Sequence, residues 1–139
     1  MEIRGYSLPE DLYYTHDHAW VRVEGSRIRV GITDVMQRLA GDISFIRVPR
    51  VGKSFAEGKT LAAIQSGKWA GRIATPMTGT VLEANTRLAG DAGLLNKSPY
   101  EEGWIALMEP VDLAAGLQAL MLGPSVEPWL LKELDEHAD

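Results

Sequence analysis

Lys68 makes the plainest chemical offer in this chain. It stands in Gln65-Ser66-Gly67-Lys68-Trp69, between two short apolar runs, Leu61 to Ile64 and Gly71 to Ala74. Thr75-Pro76-Met77-Thr78-Gly79 then closes the unit. Brief apolar runs around a turn of small residues predict a β-hairpin. A lysine at its tip holds one primary amine away from the body of the domain. Such an amine is either a solvated charge that keeps the turn soluble or a handle to which a cofactor is bonded. In the second case the chain is a carrier and has no catalysis of its own.

The other chemistry-bearing residues are weaker candidates. The chain has no cysteine, which excludes disulfides, thiolate metal sites and a cysteine nucleophile. His16 and His18 stand two apart, so they share a face if the segment is a strand. Two histidines alone make a poor metal site. Asp34 and Asp42 resemble an acid pair, but a helix cap at Asp34 and a turn at Asp42 explain them better. No Ser-His-Asp constellation, phosphate loop or metal cluster stands out. An independent enzyme is therefore disfavoured.

At 139 residues the chain is long enough for one domain with a real core. Its 14 basic and 19 acidic residues give a net charge of −5, which argues against a nucleic-acid partner. Part of the acidity is local, with five acids and one lysine between Glu127 and Asp139. No apolar run is long enough to span a bilayer. Met1-Glu2-Ile3-Arg4-Gly5 lacks the layout of a signal peptide, so a cytoplasmic protein without membrane partners is expected.

The elements that must position Lys68 are short. His18 to Val23 and Arg27 to Ile32 read as strands around a Glu24-Gly25-Ser26 turn. Thr33-Asp34 caps a helix over Val35 to Ala40 that Gly41 ends. Further strands are expected over Asp42 to Val48, Thr80 to Glu83 and Gly103 to Met108. The stretch from Asn85 to Tyr100 reads as irregular, with a helical turn near Gly90 to Leu94. Closely spaced strands with turn signals predict a mainly β sandwich or barrel. Leu113, Leu117 and Leu120 then predict a helix over Val111 to Leu122. Gly123-Pro124 breaks it, and Pro128 opens a second helix over Trp129 to Glu136. The expected organisation is a carrier domain over 1–110 and a C-terminal helical extension over 111–139, packed on the domain or projecting from it. Trp69 and Trp129 are the tryptophans expected to be exposed.

A set of segments in fixed order makes the reading specific. They are Tyr14-Thr15, His18-Ala19-Trp20-Val21, Val30-Gly31-Ile32-Thr33-Asp34, Ala40-Gly41-Asp42-Ile43 and Val48-Pro49 with Val51-Gly52. Ser66-Gly67-Lys68, Thr75 to Val81, Leu94 to Tyr100 and Glu102-Gly103-Trp104 follow. In this order the chain resembles the H protein of the glycine cleavage system over residues 12 to 110. The resemblance implies a flattened hybrid β-barrel of the lipoyl type. It also implies lipoate in amide linkage on Lys68, and a lipoate-attaching enzyme as a partner.

The departures from that family lie around the handle. H proteins usually carry Glu-Ser-Val-Lys-Ala where this chain has Gln65-Ser66-Gly67-Lys68-Trp69. Gln65 keeps a hydrogen-bonding head as a recognition residue but loses a charge. Gly67 loosens the turn, and Trp69 shelters a dithiolane or packs on a partner. The altered handle, the missing cysteines and the long C-terminus favour the H-like lipoate-binding proteins of sulfur-oxidising microbes. Those work beside complexes resembling heterodisulfide reductase and shuttle sulfur intermediates. The alternative is the glycine cleavage role, in which an aminomethyl group passes between decarboxylase, aminomethyltransferase and dihydrolipoamide dehydrogenase. A non-lipoylated binding module or scaffold is a third reading. A biotin carrier is disfavoured, because its lysine usually lies between methionines.

Overall fold

The computed structural model describes residues 1–136. Its strands are short because turn-forming residues interrupt each apolar run. In chain order they are β1 (Glu2–Ile3), β2 (Tyr6–Ser7), β3 (Tyr13–Tyr14), β4 (Ala19–Glu24) and β5 (Arg27–Ile32). Helix α1 (Asp34–Ala40) follows, and then β6 (Ile43–Arg47), β7 (Ser54–Phe55), β8 (Thr60–Ser66), β9 (Ala70–Ala74) and β10 (Gly79–Ala84). Two single-turn helices, α2 (Arg87–Gly90) and α3 (Leu94–Lys97), precede β11 (Ala106–Pro110). The chain closes with α4 (Leu113–Gln118), β12 (Met121–Leu122), a 3-10 turn over Gly123–Ser125 and α5 (Val126–Glu136).

Seven strands form one sheet in the order β12-β3-β4-β5-β11-β10-β7, and β6-β8-β9 form a second. β1 and β2 make a separate hairpin. The main core includes Val21, Ile28, Val30 and Ile32 of the large sheet together with Ile46, Leu61, Ile64 and Ile73 of the small one. Side chains alternate across a strand, and β4 shows why this matters. Ala19 and Val21 enter the main core, whereas Trp20 between them points into a second cluster. That cluster holds Ile3, Leu8, Leu12, Tyr14, Val35, Met121, Val126 and Leu130. The C-terminal helix thus covers the far face of the large sheet. The fold is mainly β, as the turn spacing indicates, with short helices and a helical C-terminus.

Several boundaries differ from the sequence reading for identifiable reasons. The helix expected over Val111 to Leu122 stops at Gln118, because Met121 and Leu122 pair with Tyr14 and Tyr13 as an edge strand. The strand expected from Gly103 begins at Ala106. Asn85 Nδ2 donates to the carbonyls of Glu102 and Trp104, each at 2.8 Å, and so holds that segment as a loop. The final helix starts at Val126 and takes Pro128 into its first turn, where a missing N–H costs nothing. The acidic residues expected at the tail run to Asp139, and the last three positions lie outside the described residues.

His16 and His18 do not share a strand face. They sit in the turn before β4, His16 exposed and His18 buried. His18 adopts a left-handed backbone at φ 68°, and its Nε2 meets the carboxylate of Glu133 on α5. Trp129 packs against both imidazoles and is half-buried, contrary to its expected exposure. Among the described residues no three carboxylates or histidines gather as a metal site.

Because Leu130 is fully buried, Leu130→Ala is expected to lower stability by about 2–4 kcal/mol in a urea melt. A loss under about 0.5 kcal/mol would mean that α5 does not belong to the folded body.

Candidate functional site: the Lys68 hairpin

β8 and β9 pair antiparallel from Thr60↔Ala74 to Gln65↔Ala70, leaving Ser66 to Trp69 as the connection. Lys68 sits in this connection and is exposed. Among the described residues no carboxylate lies within 4.0 Å of its amine. The nitrogen is thus neither buried nor locked in an ion pair.

The backbone beneath the amine is tied down. Ser66 is buried, and its hydroxyl donates to the carbonyl of Ala40 at 2.6 Å. The Ser66 N–H donates to the Trp69 carbonyl at 2.8 Å. The Lys68 N–H approaches the Ser66 hydroxyl at 3.4 Å. The hairpin tip is therefore fastened to the last turn of α1. Thr33 caps the start of that helix through a bond from the Met36 N–H. Gly41 ends it with φ 77°, in the left-handed region that favours glycine.

Gly41 also makes room for the lysine. A Cβ on Gly41 would lie 2.9 Å from Lys68 Cε and 3.6 Å from its Nζ. The aliphatic stem of Lys68 therefore runs across a bare stretch of backbone. Asn96 of α3 holds that stretch in place. Its Nδ2 donates to the Gly41 carbonyl at 2.8 Å and to Gln37 Oε1 at 3.0 Å. Its Oδ1 accepts from the Ile43 N–H at 2.9 Å. Gly41 and Asn96 belong to the ordered segments, yet spacing alone carries no sign that they meet across 55 residues.

The neighbours of Lys68 separate into distinct roles. Gln65 is exposed, and its carbonyl accepts from the Ser44 hydroxyl at 3.2 Å. Gly67 lies in open space and does not use a left-handed backbone, so this turn has no steric need for glycine there. Trp69 differs most from expectation. It is half-buried and packs against the main core. Its indole lies across Gly71, where a Cβ would come within 2.2 Å of the ring. Trp69 is therefore a structural wedge under the hairpin. Asp34 is drawn into a separate network. Its carboxylate accepts from the Ser7 N–H at 2.9 Å and pairs with Arg38. Asp42 is exposed, so the two acids form no pair.

Two substitutions check this arrangement. Trp69→Ala is expected to cost about 1–3 kcal/mol in chemical denaturation, part of the penalty for a fully buried tryptophan; an unchanged midpoint would mean that the indole packs on nothing. Asn96→Ala strands the Ile43 N–H and is expected to cost about 2–3 kcal/mol. A cost below about 0.5 kcal/mol would remove Asn96 from the support of the site.

Similarity to known proteins agrees with this geometry. The family model described as "Glycine cleavage H-protein" matches residues 12–132. The glycine cleavage system H protein 2 of Aquifex aeolicus (strain VF5) is 41% identical over 99% of this chain and 86% of its own length. The H protein of Geobacillus thermodenitrificans (strain NG80-2) is 39% identical over 76% of this chain and 84% of its own. A crystal structure of a glycine cleavage system H protein from Mycobacterium marinum superposes with a TM-score of 0.78 at 26% identity. It covers 91% of this chain and 98% of that one. On the matched family model and these relatives, the chain belongs to the glycine cleavage H-protein family.

Proposed function

We propose that this protein is a lipoyl carrier of the glycine cleavage system, with lipoate held in amide linkage on Lys68 Nζ. The observation that carries this reading is an exposed lysine at a hairpin tip, without an ion-pair partner among the described residues, in a chain of the H-protein family. The surroundings fit the group. Gly41 leaves the lysine stem unobstructed on one side, and no carboxylate among the described residues competes for the amine. Lipoate supplies a dithiolane on a long arm, suited to group transfer and thiol–disulfide exchange.

The chain itself supplies position. Ser66 and Asn96 fix the root of the arm, so its reach is measured from a stationary point. Tethering makes each encounter with a docked enzyme a reaction at high effective concentration. The protein contributes no catalytic group, and the chemistry belongs to the enzymes that load, use and reoxidise the arm. Its partners under this reading are a lipoate-attaching enzyme, the decarboxylase, the aminomethyltransferase and dihydrolipoamide dehydrogenase.

A sulfur shuttle beside a heterodisulfide-reductase-like complex, favoured by the altered handle, finds no support in the relatives named above. Those relatives are glycine cleavage H proteins along most of this chain. The change from the usual acid to Gln65 lies at an exposed position and is compatible with the glycine cleavage role.

Incubation with lipoate, ATP and a lipoate ligase is expected to add one lipoyl group to the wild type and none to Lys68→Arg. The variant should keep its melting temperature, since the side chain is exposed. Normal loading of the variant, seen by intact-mass spectrometry, would overturn the assignment.

A further inference from the structure

The segment that contains the three strands presenting Lys68 carries charge of the opposite sign to the rest of the chain. Between Ile43 and Leu82 there are six basic residues, Arg47, Arg50, Lys53, Lys59, Lys68 and Arg72, and a single acid, Glu57. That segment is net +5. The whole chain is −5, so everything outside the segment sums to −10. Ion pairing is also sparser in that segment. Among the described residues none of those six cations is within 4.0 Å of a carboxylate. Elsewhere among the described residues Arg4, Arg22, Arg29, Arg38 and Arg87 are paired with acids, and Arg27, Lys97 and Lys132 are not.

Register places two of these cations directly behind the handle. Arg47 pairs with Ala63, and Ala63 pairs with Arg72, so the three form one row across β6, β8 and β9. The arginine Cα atoms are two strand spacings apart, about 10 Å. The adjacent row on the same face is Phe45, Gln65 and Ala70, and beyond it comes the Lys68 tip. Arg47 and Arg72 are exposed, and Phe45 is 53% exposed between them and the tip. Arg72 Nη1 donates to Thr60 Oγ1 at 2.9 Å, which spends one of its N–H groups and leaves its charge without a carboxylate partner among the described residues. An exposed phenyl ring beside two guanidinium groups has the composition of a protein-binding patch.

Resting on the proposed role of Lys68, we infer that this face docks an acidic enzyme surface, a carboxylate-bearing rim around the pocket that receives the arm. Arg47 and Arg72 meet the carboxylates, and Phe45 is the central apolar contact. Charge decides the class of partner. Screening limits a compact protein patch to charges within about 10 Å, so it experiences the local positive field. An extended polyanion such as nucleic acid, or an anionic bilayer, also meets the remaining surface with its net −10. The exposed Gln65 in the second row adds no negative charge, and Asp42, exposed just before β6, is the acid at the tip end of that strand.

The test uses fully lipoylated protein, with loading verified by intact mass, as substrate for the host's decarboxylase, aminomethyltransferase and dihydrolipoamide dehydrogenase. For at least one of them kcat/KM is expected to fall steeply as salt rises. It should also drop about ten-fold or more in R47E/R72E, through KM with kcat kept. R27E/K132E shifts the net charge equally at exposed positions elsewhere and should leave that value within about two-fold of wild type. Near-equal kcat/KM for wild type and R47E/R72E with all three enzymes overturns the acidic dock while leaving the carrier role intact. A loaded wild type that none of the three accepts overturns both readings. Arg47- and Arg72-dependent binding of the unloaded chain to single-stranded DNA or anionic vesicles at physiological salt also overturns the dock.

Discussion

The hydrogen bond from the Ser66 hydroxyl to the Ala40 carbonyl is the constraint on which the site depends. It joins a hairpin tip to the end of a helix 26 residues earlier in the chain. A carrier lysine has to satisfy two opposed requirements. Its amine must remain free to react, and the backbone beneath it must not wander. Freedom comes from exposure and from the absence of an acid partner among the described residues. Fixity comes from Ser66, from the bare backbone at Gly41 and from Asn96, which holds Gly41 against α3. A buried serine fully spent on hydrogen bonds stabilises such a joint at modest cost, whereas a stranded hydroxyl would weaken it. The tip is thus anchored two residues away from the group it presents.

That anchorage has its own support further in. α1 can receive Ser66 because Thr33 caps its first turn and Asp34 ties it to the N-terminal hairpin. Tyr100 adds a second tie, accepting from the Asp34 N–H and donating to the Ser7 carbonyl. Burial raises the Tyr100 pKa above the ordinary tyrosine value, so the phenol stays protonated and keeps both roles. On the far face of the large sheet, α5 closes the second cluster over Trp20. The Lys68 hairpin therefore projects from a body stiffened on both faces.

Much of this was legible in the residues. The hairpin, α1 and its cap could be read because each has a local signature: alternating apolar runs, a threonine before a helix, a glycine after it. The place of Lys68 at the tip of that hairpin was legible for the same reason. What stayed hidden was long-range. Nothing local says that Asn96 reaches Gly41, or that Met121 and Leu122 leave a helical leucine pattern to pair with Tyr13 and Tyr14. Trp69 was expected outside, where it could shelter a dithiolane or meet a partner, but the open surface of Gly71 draws its ring onto the core. The net charge of −5 concealed the basic face, since an average over the chain carries no sign of how the charges are arranged. Reading charge strand by strand, with register, separates the two regions.

The central claim is that Lys68 alone is the attachment point. The chain has four other lysines, Lys53, Lys59, Lys97 and Lys132, which serve as internal controls. The most direct measurement is peptide-level mass spectrometry of the protein purified from its own host, grown with an intact lipoate supply. A lipoyl group on Lys68 and on no other lysine is the predicted result. A bare Lys68 under those conditions, or lipoate on one of the other four, would contradict the account.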